Sequence, residues 1–144
     1  MKSIECVADM WMFKFEHLKK NLAGYTYKDI VSSQTNVEVL SANFDVERSY
    51  EIIGLFEWYW GGWNSTPNAD DMQIVAKKWY EKYDAELIRI AHDTLSFKCR
   101  KLSEKEAQIL MQEIKNLSAE IIDCSAGEWL DHLMEKQSFT LWWD

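Results

Sequence analysis

The chain has 144 residues, 47% of them apolar and 14% aromatic, which is enough to bury one core without disulfide or metal support. Its 24 acidic side chains outnumber 16 basic ones for a formal charge of −8, setting the averaged surface against phosphate backbones and against direct nucleic-acid binding. Cys6, Cys99 and Cys124 are odd in number and widely spaced, which excludes a disulfide framework or zinc knuckle and predicts reduced, mostly buried thiols.

Glu5 and Asp9 break the apolar run at the N-terminus, and no stretch approaches the ~18 apolar residues of a membrane span, so a cytoplasmic protein is expected. Between about Ala8 and Leu22, the residues Trp11, Phe15, Leu18 and Leu22 recur at helical spacing ahead of Gly24, which predicts an amphipathic helix. YTYKDIV at 25–31 and NVEVLSA at 36–42 are β-branched or aromatic and flank the polar SSQT, which predicts two short strands. From Asp45 to Trp58, Val46, Tyr50, Ile53 and Phe56 suit a helix capped by Asp45, while SYEIIGLF also fits a buried strand; the helix is preferred.

Asn68 precedes ADDMQIVAKKWYEKY, in which Met72, Val75, Ala76, Trp79 and Tyr83 share a face and Asp70 and Asp71 meet the positive end of the helix dipole. A hairpin turning at His92 and Asp93 follows, predicted to pair Ile90 with Leu95, Ile88 with Phe97 and Glu86 with Cys99. Ser103 to Glu106 forms a capping box ahead of Ala107, Leu110, Met111, Ile114 and Leu117. After a short extended stretch at Glu120 to Cys124, Ser125 to Glu128 repeats the device before Trp129, Leu130, Leu133 and Met134. SFTLWWD then predicts a C-terminal strand docked on the hairpin, with Trp142 and Trp143 on opposite faces. The expected architecture is α+β, one domain over 1–144, with a mainly antiparallel sheet, helices packed on it, and Trp79, Leu110, Ile114, Ile88 and Phe97 at the centre of the core.

The motifs W-G-G-W-N-S-x-P, K-x-W-Y-E-K-Y-D-A-E and the closing WWD occur in order across Trp58 to Asp144. In this the chain resembles the bacterial DUF4253 family of domains of unknown function. The family has no established activity, so the resemblance implies none for this chain, and residues 1–57 are expected to form an N-terminal extension integrated into the same fold.

WYWGGWN at 58–64 and LWWD at 141–144 hold five of the eight tryptophans. Gly61 and Gly62 allow a sharp turn, so Trp58 and Trp60 are expected in the core, with Trp63 and Asn64 as the exposed pair able to meet a partner. Glu57, Asp70 and Asp71 flank that turn as candidate rim carboxylates. His92 and Asp93 read as turn chemistry. His17 and His132 lack a ligand-spaced partner, so no metal and no cofactor are expected. Cys124 precedes a helix start but has no base near it in sequence.

No constellation of residues names a reaction. The function favoured is therefore a non-enzymatic acidic protein-binding module, an immunity-type protein that neutralises a bacterial toxin whose active surface is cationic. The alternatives are an enzyme with a cleft near Trp63, Asn64, Asp93 and Asp123, and a homo-oligomeric module whose tryptophans form a self-interface.

Overall fold

The computed structural model describes residues 2–9, 25–32, 37–55, 67–91, 94–117 and 126–143. In chain order these form β1 (Lys2–Asp9), β2 (Tyr25–Ser32), β3 (Val37–Phe44), a 3-10 helix (Ser49–Leu55), α1 (Ala69–Tyr83), β4 (Glu86–Ile90), β5 (Thr94–Lys98), α2 (Glu104–Asn116), α3 (Ala126–Lys136) and β6 (Ser138–Trp142). The strands make one six-stranded sheet in the order β2-β3-β1-β4-β5-β6, antiparallel except where β1 runs parallel to β4. The class is α+β, as the sequence predicts.

Along β1, β4, β5 and β6 one face is apolar and buried: Ile4 and Cys6, Leu87 and Ile90, Leu95 and Phe97, Phe139 and Leu141. The helices cover that face with their own buried stripes, Met72, Ala76 and Trp79 from α1, Ala107, Leu110 and Ile114 from α2, and Trp129 and Leu133 from α3, all in one cluster. Trp79 sits edge-on to both Phe97 and Phe139, with ring centroids 5.7 and 5.4 Å away, and those two phenylalanines stack at 5.1 Å. The indole of this fully buried tryptophan donates its N–H to Glu113 Oε2 at 2.6 Å, so the core aromatic brings its polar atom to a partner.

Caps fix the helices as their sequences require. Asn68 Oδ1 accepts from the Asp71 amide at 2.8 Å, and Ser103 and Glu106 form the reciprocal capping box. Helix α1 ends on Asp84 in the left-handed conformation (φ 53°), whose amide returns to Trp79 and Tyr80 carbonyls before the chain enters β4. Gln137 takes the same conformation (φ 54°) between α3 and β6. Arg100 ties the end of α1 to the start of α2: its backbone N–H donates to Tyr83 O, and its guanidinium donates to Lys82 O at 2.7 Å and to both oxygens of Glu106. A cation thus sits on the carbonyl end of α1 while neutralising a carboxylate in the first turn of α2.

Four expectations need correction. Ala8 and Asp9, placed in an N-terminal helix, belong to β1, where Lys2 through Asp9 pair with Phe44 through Val37; the rest of that expected helix lies outside the described residues. Asp45 caps no helix: it is exposed in a bend, and the helical segment is a 3-10 turn starting at Ser49. Its Ile52 and Ile53 are both fully buried, and a Cβ on Gly54 would lie 2.0 Å from Gln73 Oε1, so the segment packs hard on α1.

The hairpin register is the third. Ile90 pairs with Leu95 as predicted, but Leu87 pairs with Phe97 and Arg89 with Ser96, leaving Ile88 as the extra residue of a bulge, and Glu86 pairs with Lys98 instead of Cys99. The fourth follows from it, since Leu87 takes the core position and Ile88 stands 41% exposed. Ser49 stabilises this arrangement. Its hydroxyl accepts from the Leu87 amide at 2.9 Å and donates to the Glu86 carboxylate, filling the edge of β4 that β1 does not reach.

At the chain end Trp143 is buried and donates to Leu117 O at 3.2 Å, whereas Trp142 is half-buried. The tryptophans of WGGWN, the extended stretch at 120–124 and Ser125 lie outside the described residues.

Candidate functional site

The 3-4-3-4 spacing of Ala69, Met72, Ala76, Trp79 and Tyr83 turns one side of α1 into the core. What remains outside is Asp70, Asp71, Ile74, Lys77, Lys78, Glu81 and Lys82, all exposed. Ile74 is 67% exposed, the most open large apolar side chain among the described residues. It lies four residues after Asp70 and three after Asp71, so all three share the N-terminal shoulder of the helix. Lys78 is held by Glu113 at 3.1 Å, leaving Lys77 as the nearer unpaired cation on that side among the described residues.

Asp70 and Asp71 are therefore brought together at a surface, as their positions in the sequence predict. Glu57, Trp63 and Asn64, the other candidate partner contacts, lie outside the described residues, as do Asp93, His92, Asp123, Cys124 and His17. His132 is exposed on α3. Among the described residues no three His, Cys, Asp or Glu side chains come together in a way that could hold a metal ion. Sequence reasoning overlooked Ile74. The signal was present, because on a helical wheel this isoleucine falls outside the stripe drawn by Met72, Ala76 and Trp79.

The ionisable groups with altered acidity serve the fold. Glu106 is pulled down to about 2, first by its hydrogen bonds from Arg100 and then by the Ser103 amide. Burial pushes the Cys6 thiol up to about 12 and raises Cys99 as well, so both stay protonated as apolar core residues.

The fold and this shoulder define an α+β domain that exposes an apolar side chain with two acidic residues on its N-terminal side and two lysines on the other. Residues 42–144 match the family described as "Domain of unknown function (DUF4253)", and the chain belongs to that family. The matched span begins before the motifs that suggested it; it includes α1 with Ile74 and all of β4, β5 and β6, and leaves out β1, β2 and most of β3. Comparison with curated proteins and with solved structures gave no match.

Among the described residues no helix is long and apolar enough to cross a membrane.

Proposed function

We propose that this chain is a non-enzymatic protein-binding module of the immunity type, held in the bacterial cytoplasm, where it neutralises a toxin domain with a cationic active surface. The observation that carries the reading is Ile74, an isoleucine left 67% exposed beside Asp70 and Asp71. An exposed apolar side chain with carboxylates three and four residues before it, and Lys77 and Lys78 three and four residues after it, has the pattern of an anchor inside a charged rim whose acidic half would meet a basic partner. The net charge of −8 supports it, since long-range attraction would speed encounter with a basic surface and fade with added salt.

The test looks for a basic toxin domain encoded beside the gene and, with that domain, follows association and dissociation rates; a neighbourhood without one counts against the reading. Asp70→Lys with Asp71→Lys should slow association, most strongly at low ionic strength. Ile74→Ala deletes three carbons that are two-thirds exposed in the free protein; burying them on binding is worth about 1.6 kcal/mol, so dissociation should quicken about tenfold. Alanine is the better helix former, so this variant should fold at least as stably as the parent, and the effect isolates binding. If both variants bind as the parent does, this shoulder is not the interface. If the chain fails to protect cells that express the toxin, the immunity reading falls.

A further inference from the structure

On the side of the sheet turned away from the helices, β1, β4, β5 and β6 enclose an open depression of about 430 Å³. That size is within the roughly 300–1,000 Å³ of small-molecule sites. We infer that this depression binds a neutral polyhydroxylated ligand of the mono- or disaccharide class, seated over the Glu5–Arg89 pair. The site is separate from the α1 shoulder, because Trp79 of α1 packs on Phe97 and Phe139, which alternate with the outward Ser96 and Thr140.

The pair presents the right atoms. Arg89 donates through Nε at 2.9 Å and Nη2 at 2.7 Å to the same carboxylate oxygen, Oε2 of Glu5. This leaves Oε1 of Glu5 and Nη1 of Arg89 without a partner among the described residues, on a surface where both side chains are about half exposed. One accepts and the other donates, so the pair can meet separate hydroxyls of a sugar ring in either sense. Ser96 and Thr140 add hydroxyls 2.9 Å apart that share one hydrogen, so one proton and several lone pairs remain available to a ligand. The lining carries one carboxylate and one guanidinium, which cancel, so within a chain of charge −8 nothing in the depression attracts an anion.

The bulge in β4 builds the site. In a regular strand Ile88 and Arg89 would point to opposite faces, but here both point outward, and the core side is served by Leu87 and Ile90 on either side of them. An irregularity that exposes an isoleucine is a cost to the fold. In the depression the same isoleucine supplies an apolar surface on which the C–H face of a pyranose can lie, next to the guanidinium that fixes its hydroxyls.

The experiment is an amide chemical-shift titration of the isotope-labelled full chain with N-acetylglucosamine, maltose and cellobiose, and with glycerol and inorganic phosphate as controls. At least one sugar should give saturable shifts confined to Glu5, Ile88, Arg89, Ser96 and Thr140, with a Kd of about 1 mM. Glu5→Gln, and separately the isosteric Thr140→Val, should weaken that binding several-fold while leaving the thermal midpoint close to the parent's. Asp70→Lys with Asp71→Lys should leave it unchanged. The assignment is overturned if no sugar gives saturable shifts, if glycerol or phosphate reproduces them, or if both site variants bind like the parent.

Discussion

Truncating Leu87 and Ile88 to alanine deletes three carbons from each of two adjacent residues, yet the bulge separates the consequences. Leu87 is 2% exposed, so its variant loses about 0.8 kcal/mol per carbon, or about 2.4 kcal/mol, with a further contribution from the void left under α1 and the 3-10 helix. The total should reach about 3–4 kcal/mol. Ile88 is already 41% in water and leaves no cavity, so the same deletion should cost at most about 1.4 kcal/mol. Urea unfolding followed by far-ultraviolet circular dichroism, with the slope checked for constancy, measures both. A regular hairpin predicts the opposite order, with Ile88 opposite Phe97 in the core. Equal losses, or a larger loss for Ile88, would show that β4 carries no bulge and would remove the basis for placing Ile88 and Arg89 on one face.

Glu113→Ala should cost about 1–3 kcal/mol, because it strands the buried Trp79 indole N–H, while Glu113→Gln retains an acceptor and should cost clearly less in the same assay. Glu106 has a folded pKa of about 2, below its unfolded value, so its stabilisation is present above about pH 4.5 and is lost as the pH falls toward 2; Glu106→Gln should flatten the acid-unfolding curve in that window. Cys6 is raised to about 12, so its contribution is intact below the unfolded value near 9 and is lost as the pH rises above it; peptide mapping after thiol labelling at pH 8 should find Cys6 unmodified in the folded chain and modified in urea.

The elements legible in the sequence are those whose signals are local. Asn68 capping α1, the box of Ser103 and Glu106, and the alternation in SFTLW each lie within a few residues of the structure they specify, and the last docks on β5 as its pattern predicts. β1 has such a pattern too, with Ile4 and Cys6 buried and Ser3 and Glu5 exposed, but two apolar residues are a weak period beside the helical spacing that follows. The bulge was not legible because its stabiliser is remote: Ser49, some forty positions earlier, binds the Leu87 amide. The candidate shoulder was half legible. Asp70 and Asp71 announce themselves as first-turn acids, whereas Ile74 gains meaning only once Met72, Ala76 and Trp79 are known to point the other way.

The parallel joint between β1 and β4 has a kinetic consequence. Only Glu5 with Arg89 and Cys6 with Ile90 pair across it, and the ion pair there spans 84 positions of sequence, whereas β2 and β3, and likewise β4 and β5, are only a few residues apart in sequence. Closing so long a loop for so few ladder bonds gives little return until the core beneath is assembled. The antiparallel β1-β3-β2 unit and the helix-backed β4-β5-β6 unit should thus form first, and their union should be the late event. Pulse-labelling hydrogen exchange during refolding would register this order as early protection of the amides bonded within each unit and late protection of those bonded across the β1–β4 joint.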